Sequence, residues 1–167
     1  DVIFAPCSIS YAQLIIEQAA AQGVDAALLA SDTWDSNVIL NAAKGKDVSI
    51  YVTTFFSEGG APEFEEGLKA WINENSEAKS NNGGDDTISA VTVMGYDAYN
   101  VALEALKAAG STDSQAVRDA LVDLSCEGIT GAISFDEVGD AIRDAAYIKT
   151  ANTETGAWDF VTVQGVN

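Results

Sequence analysis

The tightest constraint on this chain is a junction near its start. An apolar run, Asp1-Val2-Ile3-Phe4-Ala5-Pro6, feeds an amphipathic helix expected over Tyr11 to Gln22. A second apolar run, Ala26-Ala27-Leu28-Leu29-Ala30, then breaks off at Ser31-Asp32-Thr33-Trp34-Asp35. Two strands around one helix make a βαβ unit, in which the crossover forces the strands parallel. Both carboxyl ends therefore lie on one edge of the sheet, where open α/β sheets take their ligands. An acid beside a large aromatic at such a strand end suits a small cationic or zwitterionic molecule. That chemistry is binding rather than reaction.

The pattern beyond the junction changes twice. Asp35-Ser36-Asn37 reads as an N-cap for a short helix, Val38 to Ala43, with Asp35 or Ser36 as the capping residue. Val48 to Phe56 is β-branched and aromatic and predicts a strand; Ser57 to Pro62 then reads as a crossover loop. Three helices follow. The first, Glu63 to Asn75, places Phe64, Leu68, Trp71 and Ile72 at helical spacing, a core stripe. Ser76 to Thr87 reads as a mobile polar loop. The second helix, about Ile88 to Ala109, stops at Gly110. The third is capped within Ser111-Thr112-Asp113-Ser114 and runs to about Leu124, with Val117, Leu121 and Leu124 inward. Gly131 to Phe135 then alternates like a strand, and Ala145 to Ala151 and Trp158 to Val163 form a hairpin about Asn152-Thr153-Glu154-Thr155-Gly156. An α/β start, a helical middle and a β-rich end describe a chain that leaves a lobe and returns to it.

Charge and composition remove several classes of function. With 26 acidic residues against 8 basic ones, the formal net charge is −18, whereas nucleic-acid binding needs clustered Lys and Arg. The same charge disfavours anionic membranes, and no run approaches the roughly 20 apolar residues of a spanning helix. The chain has no His and two Cys, which removes zinc chemistry and any Ser-His or Cys-His nucleophile. Whether Cys7 and Cys126 pair is open, since bridging needs Cα atoms within about 7 Å. Asp136-Glu137-Val138-Gly139-Asp140 lacks the spacing and terminal Glu of a calcium loop and reads as a tight turn. We expect no metal, no cofactor and no catalytic residue. The chain opens inside a strand-like run without Met, so further sequence is expected before it.

Several stretches, in order, carry a resemblance to a known family. They are Asp1 to Pro6, Ser31 to Ser36, Met94-Gly95-Tyr96-Asp97-Ala98 and Ala109-Gly110-Ser111-Thr112-Asp113. Glu127-Gly128-Ile129-Thr130-Gly131 and Ile133 to Asp140 complete the set. Together they resemble the second half of a periplasmic branched-chain amino-acid-binding protein, the solute receptor of an ABC transporter. The resemblance implies an α/β fold of the type I periplasmic-binding-protein kind, with a parallel sheet flanked by helices and a two-lobed parent joined by hinge crossovers. Residues 1–54 and 132–163 would belong to the second lobe. Residues 62–126 would supply helices returning to the first, whose opening portion is absent. It further implies an extracytoplasmic location, periplasmic or as a surface lipoprotein, with a small aliphatic amino acid as ligand and an ABC permease as partner. A sensor built on the same fold is the alternative.

For the site, the resemblance assigns Asp32 to the ligand α-ammonium, against the plainer role of helix cap. Trp34 would wall the pocket or else pack in the core. Ser8 and Ile9 follow the first strand on the same edge, at positions where relatives frequently carry Tyr, with a simple helix-start role as the alternative for Ser8. Val91 matches a position where relatives often place an aromatic against the ligand, and core packing competes with contact there. Tyr96, Tyr99, Phe55 and Phe56 read as packing. A receiver-like phosphoacceptor domain with Asp32 as nucleophile would need an acidic pair after the first strand, where Cys7-Ser8 stands. Exposed strand edges would favour self-association of a fragment.

Overall fold

The computed structural model describes residues 1–165. In chain order its elements are β1 (Val2–Phe4), α1 (Ile9–Gln22), β2 (Ala27–Ala30), a single 3₁₀ turn (Asp32–Trp34), α2 (Asn37–Ala43), β3 (Ile50–Thr54), α3 (Pro62–Glu74), α4 (Ser76–Asn81), α5 (Ala90–Ala109), α6 (Ser114–Val122), β4 (Cys126–Gly128), β5 (Gly131–Ile133), β6 (Ala145–Asn152) and β7 (Ala157–Gly165). The chain divides into two compact units. One comprises Asp1–Val91 and Ala146–Gln164, the other Thr92–Ala145 with Gly165.

The first unit is built on a sheet of order β1-β2-β3-β6-β7. β1 and β2 pair in parallel, with Ile3 opposite Leu28, and β2 and β3 do likewise, with Leu29 opposite Tyr51. β6 joins antiparallel, placing Thr54 opposite Tyr147, because it returns from the other unit and turns directly into β7. α1 forms on the stripe Ala12, Ile16 and Ala19, all buried, the i, i+4, i+7 spacing of a face that must be covered. It ends at Gly23, whose φ of 63° is left-handed, a conformation glycine adopts without a Cβ penalty. Ile16, Leu28, Ile39, Ile50 and Val52 close the core around Trp34, each contributing about 1.5–3 kcal/mol by leaving water.

Several local expectations are revised. α1 begins at Ile9 rather than Tyr11, because the Ser8 side chain caps it by accepting from the Ser10 amide. Ser36, not Asp35, caps α2 by accepting from the Val38 amide. The segment expected as a mobile loop contains α4, a polar hexamer nucleated where Asn75 accepts from the Glu77 and Ala78 amides. After it, Asn82 Nδ2 donates to the carbonyls of Asp85 and Thr87, and Asn37 donates to Asn82 and Asp85. Of the α3 stripe, Ile72 is buried, whereas Trp71 is 55% exposed. The crossover Ser57 to Pro62 is held by Glu65, which accepts from the Gly59 and Ala61 amides.

In the second unit, α5 presents Val93, Asp97, Val101 and Ala105 at successive i+4 positions, all buried. β4 and β5 form a separate two-stranded antiparallel ribbon. Asp113 caps α6 through the Gln115 and Ala116 amides. Asp136 Oδ1 accepts from the Val138 and Asp140 amides, and Gly139 has a φ of 92°. The segment 136–140 is therefore a tight turn led by Asp, as its residues imply.

Candidate functional site

The carboxyl ends of β1 and β2 point to the same edge, and the two turns that leave them are stitched together. Trp34 Nε1 donates to the Cys7 carbonyl at 3.0 Å, and Thr33 Oγ1 donates to the same oxygen at 3.4 Å. Ser31 and Thr33 hydroxyls pair at 3.1 Å. The turn after β1 and the turn after β2 thus form one surface, carrying Cys7, Ser8, Ser31, Asp32 and Thr33.

Asp32 opens the 3₁₀ turn and is half-buried. Its backbone carbonyl accepts from the Asp35 amide, but among the described residues its carboxylate has neither a hydrogen bond nor an ion pair. The buried acids differ in this respect. Asp35, Glu65 and Asp97 are each 9% exposed or less, and each is bonded. With Ser36 capping α2, Asp32 has no capping duty.

The other predicted residues fall out as follows. Ser8 is exposed and is the N-cap of α1, while Ile9 is half-buried and packs against the core. Trp34 is 0% exposed. Of the two readings open for it, core packing describes its ring, and its N–H serves the Cys7 carbonyl. Val91, the second residue of α5, is 54% exposed. A cavity of about 200 Å³ in the same unit is lined by Leu40, Glu58, Ile88, Lys149, Trp158 and Phe160 among others. None of the five predicted residues lines it.

Sequence reasoning missed a buried polar centre three residues from Asp32. Asp35 Oδ1 accepts from Lys149 Nζ at 2.6 Å, with the two side chains 0% and 3% exposed. Asp35 Oδ2 accepts from Thr54 Oγ1 at 2.9 Å and from the Ala90 amide at 3.1 Å. Lys149 also lies 5.6 Å from the Trp158 ring centroid. No local signal reveals this centre, since the partners lie 19, 55 and 114 residues from Asp35. Elsewhere, burial opposes charge on Lys69, yet the Glu58 hydrogen bond and the charges of Glu58, Asp86 and Glu65 hold its ammonium above the ordinary range. Burial pushes the Cys126 thiol up, and Asp97, Glu104 and Glu127 push it further. Both cysteines are free. Among the described residues no group of three His, Cys, Asp or Glu could hold a metal, and no helix is long and apolar enough to cross a membrane.

A mainly parallel sheet flanked by helices, with both βα turns gathered on one edge, is the architecture of type I periplasmic binding proteins. A model of the periplasmic binding protein family matches residues 1–156, and the chain belongs to that family. No curated protein matches it. Among solved structures it is similar to a leucine binding protein from Thermotoga maritima, with 26% identity and a TM-score of 0.70 over 98% of this chain and 44% of that one. It is also similar to a branched-chain amino acid transporter substrate binding protein from Streptococcus pneumoniae, in complex with isoleucine (21%, 0.70, 99% and 44%). A solute binding protein of an ABC transporter from R. palustris, in complex with benzoate, shares the fold at 15% identity and a TM-score of 0.68, over 98% of this chain and 42% of that one. The chain thus spans about 44% of the length of the first structures it matches. The family is one of solute-binding proteins, and membership implies a place outside the cytoplasm.

Proposed function

We propose that the full-length protein binds a small aliphatic amino acid, of the branched-chain type, in a cleft between two lobes and delivers it to an ABC permease. The observation that carries this reading is the lone carboxylate of Asp32. It is half-buried at the ligand-binding edge of a parallel sheet, in a chain whose buried acids are all bonded. An ammonium group supplies what it lacks, and a charge-assisted hydrogen bond there is about twice as strong as a neutral one. Ser8 offers a hydroxyl on the neighbouring turn, while Ile9 and Val91 would supply apolar surface. Trp34 works from behind by fixing the Cys7 carbonyl. A ligand such as benzoate, with a carboxylate and no cation, would meet repulsion from Asp32. Amino-acid-binding relatives are therefore the better guide than the benzoate-binding one.

In this reading residues 1–54 and 132–163 belong to one lobe of the whole protein, and 62–126 supply helices to the other, with Ala90 and Val91, which the first unit holds, at the crossing and moving with Asp32. The ligand shifts the population towards closure because it contacts both lobes only in the closed form. The ligand carboxylate is held by the portion of the protein that precedes this chain.

A thermal-shift screen of the full-length protein against the twenty amino acids and benzoate tests the reading, repeated with Asp32→Asn. At a ligand concentration about a hundredfold above Kd, stabilisation should reach about 2.7 kcal/mol, with hits among aliphatic zwitterions and none with benzoate. The hits should vanish in Asp32→Asn. Equal shifts in both proteins would remove Asp32 from the site.

A further inference from the structure

Four distant segments of the first unit meet on the Asp35 carboxylate. It follows Asp32 by three residues, and its own amide donates to the Asp32 carbonyl at 2.9 Å. It holds Thr54, the last residue of β3, and Lys149 of β6. It also holds the amide of Ala90, the first residue of α5 and the immediate neighbour of Val91. The contact to α5 is made by backbone, so it fixes the course of the chain rather than a side-chain conformer.

Stability alone does not call for such a centre. Burying an ion pair costs desolvation that its mutual attraction only offsets, and apolar residues of similar volume often serve as well. A carboxylate supplies something leucine cannot, namely several acceptor directions on one rigid group. Asp35 spends one oxygen on Lys149 and turns the other to Thr54 and Ala90.

We infer that Asp35 is a positioning residue for the ligand site, fixing the Asp32 turn against the start of α5 so that the ammonium partner and Val91 keep a set spacing. Lys149 pairs with the carboxylate at 2.6 Å and offsets part of the cost of burying it. The inference rests on the function proposed above for its ligand readout, whereas the coupling between the two segments can be read without any ligand.

The test compares two double variants of the full-length protein, Asp35→Leu/Lys149→Met and Asp35→Asn/Lys149→Met. Both remove the ion pair as a unit and leave no orphan charge. Asn retains an acceptor for the Ala90 amide, and Leu retains none. The Leu/Met protein should fold, yet bind aliphatic amino acids about tenfold more weakly, the factor that one lost hydrogen bond makes. Its Ala90 amide should exchange about tenfold faster without ligand, by the same arithmetic. The Asn/Met protein should recover most of both. Should the Leu/Met protein fail to fold, an ester at position 90, made by replacing Ala90 with lactic acid, carries the test, because it removes the N–H and adds no bulk at a buried residue; it must reproduce the loss of affinity. Wild-type affinity in Leu/Met, or in the ester where that is used, overturns the inference, as does an unchanged Ala90 amide exchange rate in Leu/Met. A wild-type protein that binds no amino acid overturns the proposed function instead, and amide exchange still decides the coupling.

Discussion

Asp97 offers the sharpest test of the packing argument, because its environment predicts a large cost for a single-atom change. It is 3% exposed on the inner stripe of α5. Oδ1 accepts from the Ile129 amide at 2.8 Å, and Oδ2 accepts from the Thr130 amide at 2.8 Å and the Thr130 hydroxyl at 2.7 Å. Arg143 Nη1 donates to the Thr130 carbonyl and hydroxyl oxygen, so the turn between β4 and β5 is held from both sides. In Asp97→Asn one oxygen can still serve Thr130, but the new NH₂ meets the Ile129 N–H. The part-buried Ile129 N–H and the new NH₂ both go unsatisfied, at about 1–3 kcal/mol each. Allowing for relaxation, the expected destabilisation is about 2–5 kcal/mol, in the upper part of the range for point variants.

Thermal unfolding of the full-length protein, with hydrogen exchange of the Ile129 and Thr130 amides, measures this cost. Thr130→Val is the graded control, since it exchanges only the hydroxyl for a methyl and should cost about 1.5–3 kcal/mol. An Asp97→Asn protein within about 1 kcal/mol of wild type, with both amides still protected, would refute the reasoning; that value is the net worth of an ordinary hydrogen bond.

Further outcomes follow from neighbouring features. Gly128→Ala would place a Cβ 2.6 Å from Asp97 Oδ2 and 2.7 Å from Ile133 Cδ1, so denaturant titration should show destabilisation of about 1–3 kcal/mol, the usual cost of overpacking, that is not additive with Asp97→Asn. Native Cys126 should alkylate more slowly than a free thiol near neutral pH, because burial, with Asp97, Glu104 and Glu127 around it, favours the protonated form. A pH–rate profile with iodoacetamide should be displaced to higher pH, and Glu104→Gln should move it back. Trp34→Phe keeps most of the buried ring but removes the donor to the Cys7 carbonyl. A loss of about 1 kcal/mol is expected by calorimetry, against about 3–5 kcal/mol for Trp34→Ala. The isolated 167-residue segment should self-associate in light scattering, because the edge strand β1 exposes Val2, Ile3 and Phe4.

What could be read from the chain was local. The opening βαβ unit is visible because its apolar runs, its helix stripe and the break at Ser31-Asp32 all lie within 35 residues. Asp32 stood out for the same reason. Trp34 did not declare its side, since a residue just past a strand can turn inward or outward and only the packing of α1 and α2 decides. Asp35 looked like a cap because Ser36 and Asn37 follow it, and its true partners lie on three other segments. The motifs around Asp97 and around Gly128 to Gly131 were both visible, yet nothing in the sequence says that one cradles the other. α4 escaped notice because its six residues carry no apolar stripe and its only local signal is Asn75.

The distance between Asp35 and Lys149, 114 residues apart, also bears on the order of assembly. A chain emerging from the ribosome reaches Asp35 long before its counter-ion exists, so the early βαβ unit must wait with a charged group at its margin. Contacts of such long range slow folding, and the strand that supplies Lys149 is made well after β1 to β3. Chaperones or truncation would therefore act most strongly on an intermediate lacking β6 and β7.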